Sequence, residues 1–149
     1  MVERRFVKQS VHTIEQLYNL ALDVKSYPKF LPWCTASRVI EDTDTEMIAD
    51  LVISFSGFRE KYKSKILKYP FDKEKNIAQI SVNLVEGPFE FLQNEWKFKE
   101  LDNGMTSIEF YINFKFSSTI LDRLIGMVFE KAMSKMIEAF EKRADELYL

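Results

Sequence analysis

Histidine and cysteine each occur once in this 149-residue chain, as His12 and Cys34, and glycine and proline occur four times each. A single cysteine forbids an internal disulfide, and with one histidine it excludes an N/S-ligated zinc centre, which draws on several such residues. Glycine is too scarce for a phosphate-cradling loop, and there is no nucleophile motif and no H-E-x-x-H helix. No apolar run approaches the roughly 18 residues of a membrane-spanning helix. The opening MVERRFVKQSVHT mixes acidic and basic residues and has no apolar signal core. The chain is therefore expected to stay where it is made, in a bacterial-type cytoplasm, at most peripheral to the inner membrane. A net charge of −2 supplies no global pull toward nucleic acid, and no DNA partner is expected. His12 stands at the start of the first helix with no evident partner and reads as a surface or capping residue. Cys34, with no cation cluster beside it, reads as a small buried residue.

What the chain does have is apolar and aromatic surface. Hydrophobic residues make up 46% of it, with thirteen Phe, six Tyr and two Trp. No linker or repeat divides the sequence, so residues 1–149 are expected to form a single domain. After an extended segment around Arg4 to Gln9, Thr13 and Gln16 form a T-x-x-Q capping box, followed by Leu17, Tyr18, Ala21 and Val24 at helical spacing. The two prolines of YPKFLPW (27–33) forbid a long regular helix there. From Arg38 to Phe116 the period is two, broken by turn signals at EDTDTE, SGF, YPFDKEKN, EGP and LDNG. From Ser118 to about Leu147 the helical period returns, with an apolar stripe of Leu121, Leu124, Ile125, Val128, Ala132, Met136, Ala139 and Phe140. Such a helix reaches about 45 Å, against about 33 Å for a ten-residue strand, so it must cross the sheet obliquely. The pattern predicts an α+β helix-grip fold, a curved antiparallel sheet of six to seven strands wrapped around a long C-terminal helix.

A sheet curved around one helix leaves space between them, which side chains can fill or line. The candidate lining set is Tyr18, Tyr27, Phe30, Leu31, Trp33, Phe55, Tyr62, Leu92, Asn94, Trp96, Phe98, Phe114, Met133 and Met136. Met127 and Val128 are expected to join them from the final helix. Methionines over an aromatic sheet suit a flexible hydrocarbon guest, and they suit a filled core equally well. Gly126 marks either a thin spot in the helix or close packing against a bulky neighbour such as Trp33.

The D-V-x-x-Y-P-x-F-L-P-W-C-x-x-S-R-V within residues 11–39, with VEGPFEFLQNEWKF at 85–98, resembles the coenzyme Q-binding START-like family of polyketide cyclase/dehydrase-like helix-grip proteins. That family also includes bacterial ribosome-association toxins. The resemblance covers nearly the whole chain and implies the same fold. It implies ubiquinone or a similar polyprenyl lipid as bound ligand, with no catalysis and no required cofactor, in support of respiratory electron transfer and quinone biosynthesis. Tyr18, Tyr27, Trp33, Asn94 and Trp96 are the candidates for the quinone head. The alternative that the toxin branch implies is binding to the large ribosomal subunit, blocking subunit association. Two surfaces bear on partners. Aromatics of YPKFLPW, with Lys29, would touch a bilayer or else plug the base of the first helix. Arg59, Lys61, Lys63 and Lys65 alternate along one strand face, which suits ribosomal RNA or an anionic membrane, or simply a solvated strand that resists edge pairing.

Overall fold

The computed structural model describes all residues, Met1–Leu149. The chain begins with strand β1 (Val2–Ser10) and helix α1 (Ile14–Leu22). A 3₁₀ turn, Val24–Ser26, and the single-turn helix α2 (Tyr27–Phe30) lead to β2 (Cys34–Asp42). Strands β3 (Glu46–Phe55), β4 (Phe58–Asp72), β5 (Ile77–Glu86), β6 (Phe89–Glu100) and β7 (Thr106–Phe116) follow, and α3 (Thr119–Tyr148) ends the chain. The seven strands form one antiparallel sheet in the order β1-β7-β6-β5-β4-β3-β2. Each hairpin from β2 to β7 pairs sequence neighbours, so β1 is the only strand brought to its place by a distant connection. The sheet curves around α3, and the architecture is the α+β helix-grip arrangement.

Local chemistry accounts for the element ends. Thr13 accepts from the Gln16 N–H at 3.1 Å while the Gln16 side chain accepts from the Thr13 N–H at 3.0 Å, which completes the capping box of α1. Pro28 lies in the first turn of α2, where its missing N–H costs nothing. Ser118 caps α3 through the Leu121 N–H. At the β3–β4 turn both Ser56 and Gly57 have positive φ, 46° and 83°, as a two-residue hairpin turn requires. Gly87 is required by space, because a Cβ there would stand 2.6 Å from the Tyr62 Cβ.

Two expectations need correction at this level. Strand β4 continues through Tyr69–Asp72, so the turn expected over 69–76 is confined to 73–76; Asp72 Oδ1 accepts from the Glu74 N–H at 2.9 Å and closes it. A Cβ at Gly126 would meet nothing within 4 Å, so no bulky neighbour packs there. The same rotation of α3 leaves Met127 77% exposed. The buried line of α3 runs instead through Leu121 and, about two turns on, Phe129, Met133, Met136, Phe140 and Ala144, the last five spaced three or four residues apart as one helix face demands.

Candidate functional site

Between the concave face of the sheet and α3 lie two adjoining apolar chambers, of about 100 and 120 Å³. They share Trp33, Ile53, Tyr62, Leu92, Ile112 and Met133, which form the waist between them. The outer chamber lies under the N-terminal half of α3, against Phe55, Phe89, Phe114, Phe116, Ile125, Val128, Phe129 and Ala132, and all of its lining is hydrophobic. Val128, 37% exposed, marks where it meets the surface. The inner chamber is closed by Tyr27, Leu31, Cys34, Trp96, Phe110, Met136 and Phe140, and Ser64 and Asn94 are its two polar lining residues.

Packing holds these walls in place. Trp96 lies 4.7 Å from Phe110 and 5.1 Å from Phe140, centroid to centroid, so the indole joins β6, β7 and α3. Tyr62 meets Phe89 edge-on at 5.5 Å, and Phe89 stacks on Phe116 at 4.4 Å. The Trp33 indole N–H donates to the Ala132 carbonyl at 3.4 Å, tying the segment after α2 to the middle of α3.

Of the residues singled out in the sequence, Tyr27, Leu31, Trp33, Phe55, Tyr62, Leu92, Asn94, Trp96, Phe114, Met133 and Met136 are brought together on these walls. Tyr18, Phe30 and Phe98 are not. Phe98 is fully buried with Trp96 stacked on it at 6.0 Å, and Tyr18 packs edge-on against Phe98. Phe98 therefore sits behind the Trp96 wall, covered there by Tyr18 of α1. Phe30 packs outside the chamber against Tyr27, beneath the Arg143 guanidinium 5.6 Å from its ring centre. Phe89 was missed because the pairing of β6 with β7 shifts between Phe89 and Phe91, which turns an odd-numbered residue inward on a strand whose later inward positions are even. Phe129 was missed because the sequence stripe was centred one residue away, on Val128.

Burial sets the chemistry of the interior. It pushes the Tyr27 and Tyr62 hydroxyls well above the usual phenol range and the Cys34 thiol up to about 11, partly offset by its bond to the Ala36 carbonyl. These groups stay neutral at physiological pH. The Tyr27 hydroxyl donates to the Ala21 carbonyl. Ser64 Oγ and Asn94 Oδ1, by contrast, are shielded from solvent and have no hydrogen-bond partner.

The basic strand face is corrected by its neighbours in the sheet. Lys61 pairs with Asp50 at 3.6 Å, Lys63 with Glu86 at 3.7 Å and Lys65 with Glu46 at 3.3 Å. Carboxylates on neighbouring strands thus neutralise it, and only Arg59 of the four is left unpaired. β4 is also interior to the sheet, so its lysines guard no edge. His12 is corrected too. It is 3% exposed, and its Nε2 lies 2.7 Å from Asp145 Oδ1. No helix is long and apolar enough to cross a membrane.

Residues 11–141 match the family described as polyketide cyclase/dehydrase and lipid transport. The chain is 46% identical over 133 residues to the ribosome association toxin RatA of Rickettsia prowazekii, covering 89% of each. It is 29% identical over 140 residues to the mitochondrial coenzyme Q-binding protein COQ10 homolog B of Xenopus laevis, covering 91% of this chain and 55% of that one. Among solved structures, an 18 kDa protein of Caulobacter crescentus superposes with a TM-score of 0.77 at 34% identity, covering 99% of both chains. A STAR-related lipid transfer protein of Xanthomonas axonopodis superposes with a TM-score of 0.83 at 13% identity, covering 96% of this chain and 85% of that one, a likeness of fold. An apolar two-chambered interior gripped by a long C-terminal helix, and a family match over most of its length, make this chain a member of the polyketide cyclase/dehydrase and lipid transport family.

Proposed function

We propose that the chain binds a polyprenyl quinone or a closely similar amphiphile, head in the inner chamber and tail toward the outer one, and carries it without chemical change. The observation that carries this reading is the pair of unpartnered polar atoms, Ser64 Oγ and Asn94 Oδ1, on an otherwise apolar wall. Leaving such an atom buried and unpaired costs about 1–3 kcal/mol. A ligand carbonyl accepting from the Ser64 hydroxyl, or a ligand hydroxyl donating to Asn94 Oδ1, removes part of that cost, whereas a pure hydrocarbon removes none. A quinone carbonyl accepts from the serine hydroxyl or the asparagine amide, and a quinol hydroxyl donates to the amide oxygen. Each tail methylene then contributes about 0.8 kcal/mol on leaving water. The relative named as coenzyme Q-binding supports the same ligand class. The reading calls for no cofactor beyond the cargo.

Chamber size limits what fits at rest. A dry cavity of about 150 Å³ takes one benzene-sized guest, so neither chamber, at about 100 and 120 Å³, takes a substituted quinone ring at rest, and admitting head and tail requires the walls to part, with the N-terminal half of α3 lifting. Ile120, 70% exposed, and Met127 flank that opening, with the exposed cations Arg123 and Lys131 beside them. This is a surface suited to collecting cargo from an anionic bilayer. Extraction of the purified protein into organic solvent, followed by mass spectrometry, should yield a quinone. Add-back of a short-tailed ubiquinone should quench Trp33 and Trp96 fluorescence, and Leu92→Lys should abolish both signals. No recovered quinone and no saturable quenching would sink the proposal.

Association with the large ribosomal subunit is the second reading, favoured by the relatives named as ribosome association toxins. With the β4 lysines paired, the cations left for rRNA on α3 are Arg123, Lys131, Lys135 and Lys142, which share one exposed strip. In sedimentation with purified subunits, Lys131→Glu with Lys135→Glu should abolish co-migration with the large subunit, and Lys61→Glu should leave it intact. Failure of the unaltered chain to co-migrate rejects this reading.

A further inference from the structure

The last turns of α3 carry a cluster for which neither ligand chamber has a use. Glu141 and Asp145 stand four residues apart on one helix face and approach the His12 side chain, which is 2% exposed. One ligand atom from each of the three lies within 4.8 Å of the others. The histidine is held from both sides of its backbone, because the Thr106 hydroxyl donates to its carbonyl at 2.7 Å and its N–H donates to Ser10 Oγ at 3.2 Å. Glu141 Oε1 is shielded from solvent and has no hydrogen-bond partner. Lys8, which lines the same crevice, makes no bond to it. A shielded carboxylate oxygen without a partner is costly, and a cation is what would relieve it.

We propose that His12, Glu141 and Asp145 form a binding site for a first-row divalent cation, with Zn²⁺ as the best-suited ion. One imidazole nitrogen and two carboxylates are a borderline donor set, distinct from the several-Cys/His centre that the composition excludes. Two ligand atoms each about 2.1 Å from a tetrahedral Zn²⁺ stand roughly 3.4 Å apart. Nε2 and Asp145 Oδ1 are 2.7 Å apart, so a small outward swing of the half-exposed Asp145 admits the ion. Binding moves the ring proton to Nδ1 and replaces the His12–Asp145 hydrogen bond with two bonds to the metal. Solvent completes the coordination on the Asp145 side. The bound ion fastens the β1–α1 junction to the C-terminal end of the helix that roofs the cavity.

The test uses the full chain, freed of metal with a chelator and titrated with Zn²⁺, and separately with Mn²⁺, by calorimetry and thermal melting. One-to-one saturable Zn²⁺ binding is expected, with Tm raised by roughly 5–10 °C at a hundredfold excess over Kd. Glu141→Gln and Asp145→Asn should each weaken binding at least tenfold while keeping the metal-free Tm within a few degrees. Co²⁺ should develop visible ligand-field absorption that both variants lose. His12→Gln serves only as confirmation, because a buried residue can fail to fold, and the two helix variants decide without it. Absence of saturable binding by either ion up to millimolar concentration overturns the proposal. So does Zn²⁺ binding that is unchanged in both Glu141→Gln and Asp145→Asn.

Discussion

The two halves of α3 differ in how they are held. The C-terminal half is locked: Phe140 packs on Trp96, Ala144 is fully buried and Asp145 meets His12. The N-terminal half roofs the outer chamber through Phe129 and Ile125, yet turns Ile120, Met127 and Val128 to solvent. It is held by the buried Leu121 and by Phe129, which meets Phe114 at 5.6 Å, and otherwise by polar ties, from the Met1 amino group to Asp122 and from Arg4 to Glu130 at 2.5 Å. Surface ion pairs are each worth about 0–1 kcal/mol, against several for a buried aromatic contact. The N-terminal half, with apolar side chains turned to solvent and a chamber beneath it, is the end expected to open. That is where the chamber meets the surface.

The sharpest way to break this contrast is truncation at matched positions. Phe140→Ala should cost about 3–5 kcal/mol in urea unfolding, because it empties the space beside Trp96. Val128→Ala, on the partly exposed roof, should cost under about 1 kcal/mol. Equal costs would mean that both halves are equally anchored.

Inside the cavity, Asn94→Leu should stabilise the ligand-free chain by about 1 kcal/mol, since it removes an unpaired buried polar atom. It should also weaken binding of a short-tailed quinone roughly tenfold, about 1.4 kcal/mol, in a fluorescence titration. A stability loss would show that Asn94 is already satisfied.

Hydrogen exchange sharpens the same comparison without mutation. Backbone amides over 123–128 should exchange about tenfold or more faster than those over 136–144.

Alkaline pH probes the closed inner chamber through Cys34. Its folded pKa is raised from 9.0 to about 11, so the folded state keeps a proton that the unfolded state has lost. The stability contribution is full below pH 9 and is lost as pH rises through 11. Cys34→Ala should flatten that part of the pH–stability profile, and alkylation of the wild-type thiol should be slow at pH 8.

The smallest effect is expected on the convex face. Lys61→Gln or Lys63→Gln should change stability by less than about 1 kcal/mol, because each removes one long pair, at 3.6 or 3.7 Å, in which one partner is well exposed to solvent.

Much of the architecture was legible because it rests on local rules. The capping box at Thr13 and Gln16, the alternation from Ala49 to Phe55 and the helical period from Ser118 are all satisfied within short stretches of chain. Legibility failed where one residue's direction depends on a neighbour far away in sequence. Phe89 faces inward because of a shift against β7, and Phe98 lies behind Trp96 because α1 covers that end of the sheet. The lysines of β4 looked like a charged surface until β3 and β5 set Asp50, Glu46 and Glu86 beside them.

The sequence by itself determined the order of elements, the apolar concave face and the residue types on it, because periodicity and capping are properties of short segments. Only the tertiary structure decided that this face encloses two chambers, that Ser64 and Asn94 are left unpaired within them, and that His12 meets an aspartate 133 residues away. Those outcomes depend on how a curved sheet and a 30-residue helix fill the space between them. Packing across that gap couples residues that no local pattern relates.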